Sequence, residues 1–262
     1  MTVLQVIGGG KMGEALVGGL VAGGHPALDI LIVERDGARV AELRAALPDV
    51  RVGVAPEAAD GTVLAVKPGD IAGVCRAVAE AGGGRVLSIA AGITLGALEA
   101  ELTPGTPVVR AMPNTPALVG CGAAAIAGGS SAGDGDLAWA ESILGSVGLV
   151  VRVEEALLDA VTGLSGSGPA YVFLVAEALI DAGVAAGLPS QVSYDLAVQT
   201  LLGAATLLAR SDPGPVALRE AVTSPNGTTA AGLAVLEEHG LRATIEAAVQ
   251  AAAHRSEELG RS

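Results

Sequence analysis

Every β-branched, strand-like run in this chain falls before Glu154, and none falls after it. The runs are Val3–Ile7, Ile30–Val33, Val50–Val54, Val63–Val66, Val86–Ile89, Pro107–Arg110, Ala123–Ala127 and Leu149–Val153, with helical patterns such as Glu14–Ala22, Ala38–Ala46 and Ile71–Ala81 between them. Such alternation predicts a parallel sheet wrapped by helices. The runs are nearly continuous in apolar residues, as strands buried on both faces should be. From Glu154 onward, long Ala/Leu segments are separated by Gly/Pro/Ser punctuation at Ser165–Pro169, Gly187–Ser190, Ser211–Pro215 and Ser224–Gly227. That texture predicts an all-helical second domain, residues 154–262, joined without a flexible linker to an α/β domain of residues 1–153.

Two of the expected helices, roughly Ala170–Ala186 and Gln191–Arg210, are apolar almost all the way round. A helix with no broad polar face is normally buried, and a domain of about 110 residues has little interior to hide two of them. An obligate oligomer, in which subunits cover each other's helices, is therefore expected; a tight monomeric bundle is the alternative. With 51% hydrophobic but only 2% aromatic residues, the core must be built from Ala, Val, Leu and Ile. The net charge of −13, with only 15 basic residues, speaks against nucleic acid or an anionic membrane as partner. An anionic ligand would have to be captured locally, by backbone N–H groups and a few side chains. Cys75 and Cys121 have neither metal-ligand spacing nor a disulfide framework, so no metal site is expected. No export signal is evident, and the apolar run after Pro169 is interrupted by Glu177 and Asp181, so a cytoplasmic protein is expected.

Val3–Ile7 runs directly into Gly8-Gly9-Gly10-Lys11-Met12-Gly13 and then into a helical pattern. Gly8-x-Gly10-x-x-Gly13 suits a tight turn, close approach to a pyrophosphate, and close helix–strand packing. With 38 glycines in 262 residues, chance predicts about 0.8 such triplets. Its place, after the first strand and opening the first helix, is what points to a dinucleotide. The end of the second strand, where the adenosine ribose would lie, reads Val33-Glu34-Arg35-Asp36. A carboxylate there favours the 2′-hydroxyl of NADH, whereas Arg favours the 2′-phosphate of NADPH. If Glu34 turns away, Arg35 and Arg39 are placed to clamp a phosphate, and the balance tips slightly toward NADPH. The end of the fourth strand, Ala65-Val66-Lys67-Pro68, should also face ligand, since such sheets bind beyond the carboxyl ends of their strands; a solvated loop lysine is the other reading of Lys67.

Reduction of a ketone generally needs a positioned His, Lys or Tyr to shuttle a proton. The only lysines are Lys11 and Lys67, and His25, in a Gly-rich loop, and His239 and His254, near helix ends, are expected to be surface histidines rather than proton shuttles. An imine is more lenient: a protonated C=N is already electrophilic, so orientation and one hydrogen bond matter more than a strong acid. Val222-Thr223-Ser224-Pro225-Asn226-Gly227-Thr228-Thr229 supplies hydroxyls, a proline that ends the preceding helix, and Asn226 and Gly227, which tolerate left-handed backbone angles. A helix starting near Thr228 would aim N–H groups at a carboxylate. A plain Thr-capped helix start is the alternative.

Leu164-Ser165-Gly166-Ser167-Gly168-Pro169-Ala170-Tyr171-Val172-Phe173 and the Val222–Thr229 stretch, supported by Gly8–Gly13, Ala65–Pro68, Ser88-Ile89-Ala90-Ala91-Gly92 and Arg110-Ala111-Met112-Pro113-Asn114-Thr115-Pro116, resemble the pyrroline-5-carboxylate reductase family along essentially the whole chain. The resemblance implies a Rossmann-type doubly wound parallel sheet followed by an all-α dimerisation domain. It implies NAD(P)H-dependent reduction of the C=N bond of 1-pyrroline-5-carboxylate to L-proline. Cofactor contacts would come from Gly8 to Gly13, Ala65 to Pro68, and Ile89, Ala90 and Ala91. Ser224, Gly227 and the backbone of Thr228 would bind the substrate carboxylate, with the Thr229 hydroxyl donating to the ring nitrogen. Asp212 falls where the family carries an acidic residue near substrate; read alone, it is a helix-capping Asp before Pro213. The family further implies a domain-swapped dimer, often assembled into decamers. Two departures stand out: Asn226-Gly227 replaces a Gly pair, and Ala221 replaces a polar residue that some members turn toward cofactor.

Rival readings are an imine reductase acting on another cyclic imino acid, a non-catalytic dinucleotide-binding protein, and a 3-hydroxyacid dehydrogenase. The last would need a helical lysine in the second domain, and no lysine follows Lys67. For the imine chemistry, the carboxyl edge of the sheet and the turn near Thr229 must face one cleft, within one chain or between two.

Overall fold

A computed structural model describes residues 2–261, which form two compact units. One takes the residues up to Ser167 and those from Gln250 onward; the other is Gly168–Val249. The first contains β1 (Thr2–Ile7), α1 (Lys11–Ala22), β2 (Ile30–Val33), α2 (Gly37–Ala46), β3 (Arg51–Gly53), β4 (Ala59–Leu64), α3 (Ile71–Ala81), β5 (Arg85–Ser88), α4 (Leu95–Glu101), β6 (Val108–Met112), β7 (Gly122–Gly128), α5 (Asp134–Leu144), β8 (Gly148–Arg152) and α6 (Leu158–Val161). Each expected strand is present. The largest shift is in β4, which starts at Ala59 and ends at Leu64, leaving Ala65–Lys67 as loop.

The eight strands form one sheet in the order β3-β2-β1-β4-β5-β6-β7-β8. The first six are parallel; β7 runs antiparallel to β6, and β8 is parallel to β7. The sheet is thus not parallel throughout, as expected from the alternation alone. The reason is the connection: residues 113–121 hold only the 3-10 turn Thr115–Val119, and a parallel return needs a crossover of a dozen or more residues. Side chains alternate cleanly between two buried layers. Leu4, Val6, Ile30 and Ile32 pack with α1 and α5 residues such as Leu16, Val17 and Ile143 on one face. Ile7, Leu31, Val33 and Leu64 pack with Ile71, Cys75 and Val78 of α3 and Leu98 of α4 on the other. The alternation is why the runs read as continuous in sequence. Gln5 is the polar exception in β1, fully buried but satisfied by Thr62 Oγ1 and the Glu57 carbonyl, each at 2.9 Å.

The second unit holds α7 (Gly168–Ala185), α8 (Ser190–Arg210), α9 (Pro215–Ala221), α10 (Thr228–Glu238) and the first part of α11 (Leu241–Arg261), whose last turns belong to the first unit. A π-helical turn, Thr162–Gly166, precedes α7. α7 and α8 pack on each other: Ser193 Oγ donates to the Ile180 carbonyl at 2.6 Å, and Gly183 faces that serine. Yet no residue of α7 is buried within the chain, and only Ser193 and Ala197 of α8 are. Phe173, Leu174 and Leu202 remain 60–65% exposed. The tight monomeric bundle is therefore not what forms. By length and composition, Glu155–Ala185 and Ser190–Arg210 are also apolar enough to cross a bilayer.

Candidate active site

The glycine turn after β1 is built by exclusion. Gly8 has φ +105°, and a Cβ on it would strike the backbone of Ala65, with Ala65 C at 2.7 Å. A Cβ on Gly13 would collide with the Gly8 carbonyl. Beside Gly10 nothing lies within 4 Å of where a Cβ would stand. Gly10 caps α1 without any side-chain hydrogen bond, so the first N–H groups of the helix, from Lys11, Met12 and Gly13, have no side-chain acceptor at the cap. Two glycines close the turn and the third leaves an open approach to a helix N-terminus, which is the arrangement a pyrophosphate fits.

Around it lies a cleft of about 820 Å³. Of the residues expected to contact cofactor, Gly8, Gly10, Glu34, Arg35, Ala65, Val66 and Lys67 line it. Lys11, Met12 and Gly13 form the first turn of α1, and Pro68 starts the 3-10 turn Pro68–Asp70. Ile89 N–H donates to the Leu64 carbonyl at 3.1 Å, and Ala90 N–H to Ser88 Oγ at 3.4 Å, which hold the start of the Ile89–Ala91 loop on the sheet edge. None of these last seven lines the cleft. Lys67 is exposed and forms no ion pair among the described residues. The condition for a phosphate clamp is not met. Glu34 turns inward, onto the glycine turn, and Arg39 is occupied by the Gly9 carbonyl, Glu14 and Glu42.

Two further contacts lay beyond the sequence reading. Asn114 Nδ2 donates to the Ser165 carbonyl and hydroxyl, both at 3.2 Å, while its Oδ1 accepts from Ala123 N–H at 2.8 Å. A Cβ on Gly166 would lie 2.6 Å from Met112 Cε. The Arg110–Pro116 and Leu164–Phe173 motifs, far apart in sequence, thus meet at the π turn. Arg110 is buried and paired at 2.9 Å with Glu155, whose same oxygen accepts from Leu95 N–H at 2.7 Å, the first residue of α4. A charged residue closing the expected apolar run Pro107–Arg110 is the available signal for Arg110, which lies in the middle of β6; its partner, 45 positions on, has none.

In the second unit, Asn226 is the only described non-glycine residue at positive φ, +61°. It takes the left-handed place, while Gly227 is extended at φ −79°. Gly227 is needed for space instead: a Cβ there would collide with Ser224 Oγ. Gly227 caps α10 with no side-chain hydrogen bond, so this is not a Thr-capped helix. The Thr223 hydroxyl is committed to the Arg219 carbonyl at 2.6 Å. Those of Ser224, Thr228 and Thr229 have no protein partner among the described residues, and all three residues are exposed. An uncapped helix N-terminus ringed by free hydroxyls can hold a carboxylate and donate to a neighbouring atom. Asp212 is exposed between α8 and α9 and does not cap: the cap of α9 is Gly214, again without a side-chain bond.

A doubly wound sheet with an open glycine turn at its carboxyl edge defines the chain as a dinucleotide-dependent oxidoreductase. Residues 3–92 match the family described as NADP oxidoreductase, coenzyme F420-dependent, and residues 155–259 match pyrroline-5-carboxylate reductase dimerisation. The chain belongs to the pyrroline-5-carboxylate reductase family. It is 43% identical to the pyrroline-5-carboxylate reductase of Mycobacterium tuberculosis over 99% of this chain and 97% of that one. The solved pyrroline-5-carboxylate reductase of Coxiella burnetii superposes with a TM-score of 0.92 at 35% identity, covering 100% and 99% of the two chains. The Plasmodium falciparum pyrroline carboxylate reductase with NADP bound superposes with a TM-score of 0.83 at 29% identity, covering 99% and 98%.

Proposed function

We propose that this chain reduces the ring C=N bond of 1-pyrroline-5-carboxylate to L-proline, the last step of proline biosynthesis, using NADPH or NADH. The observation that carries this reading is the start of α10, where an uncapped helix N-terminus and the free hydroxyls of Ser224 and Thr229 sit on one turn. When bound, the dinucleotide supplies hydride. The backbone N–H groups from Thr228 onward and the Ser224 hydroxyl bind the ring carboxylate and so fix the ring. As the imine carbon gains hydride, the C=N π pair collapses onto nitrogen. A donor placed there, the Thr229 hydroxyl, is worth more in the transition state than in the ground state. Because the protonated C=N already carries its proton on nitrogen, the arriving hydride and the π pair, which becomes the nitrogen lone pair, complete the secondary amine. Gly8, Gly10 and the first turn of α1 would hold the pyrophosphate, and Ala65–Pro68 and Ile89–Ala91 would border the rest of the dinucleotide. Asp212 is proposed to act near substrate.

We further propose a homo-oligomer, an intertwined dimer or a decamer of such dimers, in which a second copy covers the exposed apolar faces of α7 and α8. The match of residues 155–259 to a dimerisation family supports it. A cytoplasmic enzyme bound to neither nucleic acid nor membrane is supported by the net charge of −13 and by two unpaired thiols, one of them exposed. The test is oxidation of NADPH and of NADH, in parallel, by purified protein with 1-pyrroline-5-carboxylate. Substrate-dependent oxidation is expected. Dinucleotide binding without turnover would leave a non-catalytic binding protein, and faster turnover of another cyclic imino acid would reassign the substrate.

A further inference from the structure

The Glu34 carboxylate is held by backbone rather than left to solvent. Its Oε2 accepts from Gly9 N–H at 3.0 Å, and its Oε1 accepts from Arg35 N–H at 2.7 Å and Asp36 N–H at 3.0 Å. Burial works to raise its pKa, but the N–H donors of Asp36, Arg35 and Gly9 outweigh burial and hold it below the ordinary carboxylate value. Gly9 makes the inward turn feasible: a Cβ there would lie 3.2 Å from Glu34 Cβ and 3.3 Å from Oε2. The cation that would offset the charge is engaged elsewhere. Arg39 donates through Nε to the Gly9 carbonyl at 2.7 Å, through Nη1 to Glu42 at 2.7 Å and through Nη2 to Glu14 at 2.5 Å. Arg35 and Lys67 are the cations exposed at the cleft without a side-chain partner among the described residues, and neither side chain touches the Glu34 carboxylate.

Each carboxylate oxygen has about two lone-pair sites. Oε2 accepts one bond, so it keeps a site for a donor in the cleft. A hydroxyl is such a donor; a phosphate is not, and its charge would stand against a fixed anion. We infer that this chain selects NADH over NADPH, with Glu34 accepting from the free 2′-hydroxyl of the adenosine ribose and repelling a 2′-phosphate. This rests on the dinucleotide reading of the cleft and runs against the balance struck from Arg35 and Arg39 in the sequence.

The test is equilibrium binding of NADH and NADPH by calorimetry, on the unmodified protein and on Glu34→Gln and Glu34→Ser, each checked for folding by circular dichroism. The unmodified protein is expected to bind NADH at least about ten-fold more tightly than NADPH. Both variants should shrink that ratio, mainly by tightening NADPH. Equal or tighter binding of NADPH by the unmodified protein overturns the inference, as does a ratio unmoved in both variants. If neither dinucleotide binds, the reading of the cleft itself falls, and the inference with it.

Discussion

Replacing Thr229 by Val removes a hydroxyl while keeping the branched shape, so it separates chemistry from folding. In the free protein that hydroxyl is exposed and has no partner among the described residues. Water satisfies it in the folded and unfolded chain alike, and Thr and Val have similar helix propensities, so the stability change should stay within about 0.5 kcal/mol. The cost should fall on turnover. One donor to a nitrogen that gains electron density in the transition state is worth about 1–3 kcal/mol, or roughly a 5- to 150-fold loss of kcat/KM. The loss should appear in kcat, because the bond strengthens as hydride arrives. Steady-state kinetics with 1-pyrroline-5-carboxylate at saturating dinucleotide, beside a thermal melt, measures both effects. Thr229→Ser should recover most of the rate. A Thr229→Val protein within two-fold of the unmodified kcat/KM, or an equal loss in Thr229→Ser, would refute a hydrogen-bonding role.

Glu155→Ala strands the buried Arg110 cation and frees the Leu95 N–H at the start of α4. Exposed pairs are worth about 0–1 kcal/mol and broken buried pairs about 3–5, and with Glu155 34% exposed a loss of about 2–3 kcal/mol is expected, a melting shift of roughly 5–10 °C. Arg255→Ala, which breaks only an exposed pair with Glu258, is the control and should barely shift the melt. Burial pushes the Cys75 thiol up from 9.0 to about 11, so its contribution to stability is full below pH 9.0 and is lost as pH rises toward about 11. Denaturant titrations over that window should show a steeper alkaline loss in the unmodified protein than in Cys75→Ala, and parallel curves would count against it. Leu174→Glu with Leu202→Glu places charge on the exposed faces of α7 and α8 and should yield monomers by light scattering, whereas an intact oligomer would move the interface elsewhere.

Legibility in the sequence followed how local the determining interaction was. All eight strands could be read because a doubly covered sheet demands apolar residues on both faces, and Ile30–Val33 satisfies that demand within four residues. The reversal of β7 could not be read from propensity, since Gly122–Gly128 looks the same in either direction; the short connection over residues 113–121 carried the information. At the start of α10, Asn226 could be read as left-handed because few other residues accept that angle. Gly227 was legible only as a glycine: its need is for space beside Ser224, a contact that a backbone preference does not encode. Asn114 and Glu155 were silent as site residues because their partners lie 51 and 45 positions away.

Glu34 lies between these cases, and the sheet explains why. Parallel pairing sets Ile7 opposite Val33, so the residues just beyond each strand emerge at the same level of the carboxyl edge. Gly9 and Glu34 are then neighbours, and a carboxylate next to an N–H in a glycine turn will bond to it unless a stronger donor competes. Arg39 is the evident competitor, but α2 begins at Gly37 and turns its guanidinium toward Glu14 of α1 and Glu42 one turn on. The identities Gly9, Glu34, Arg39 and Glu14 were all visible in the chain. What decided among them was the strand register together with the phase of α2, and once those two are known Glu34, rather than Arg39, is the group left at the cleft.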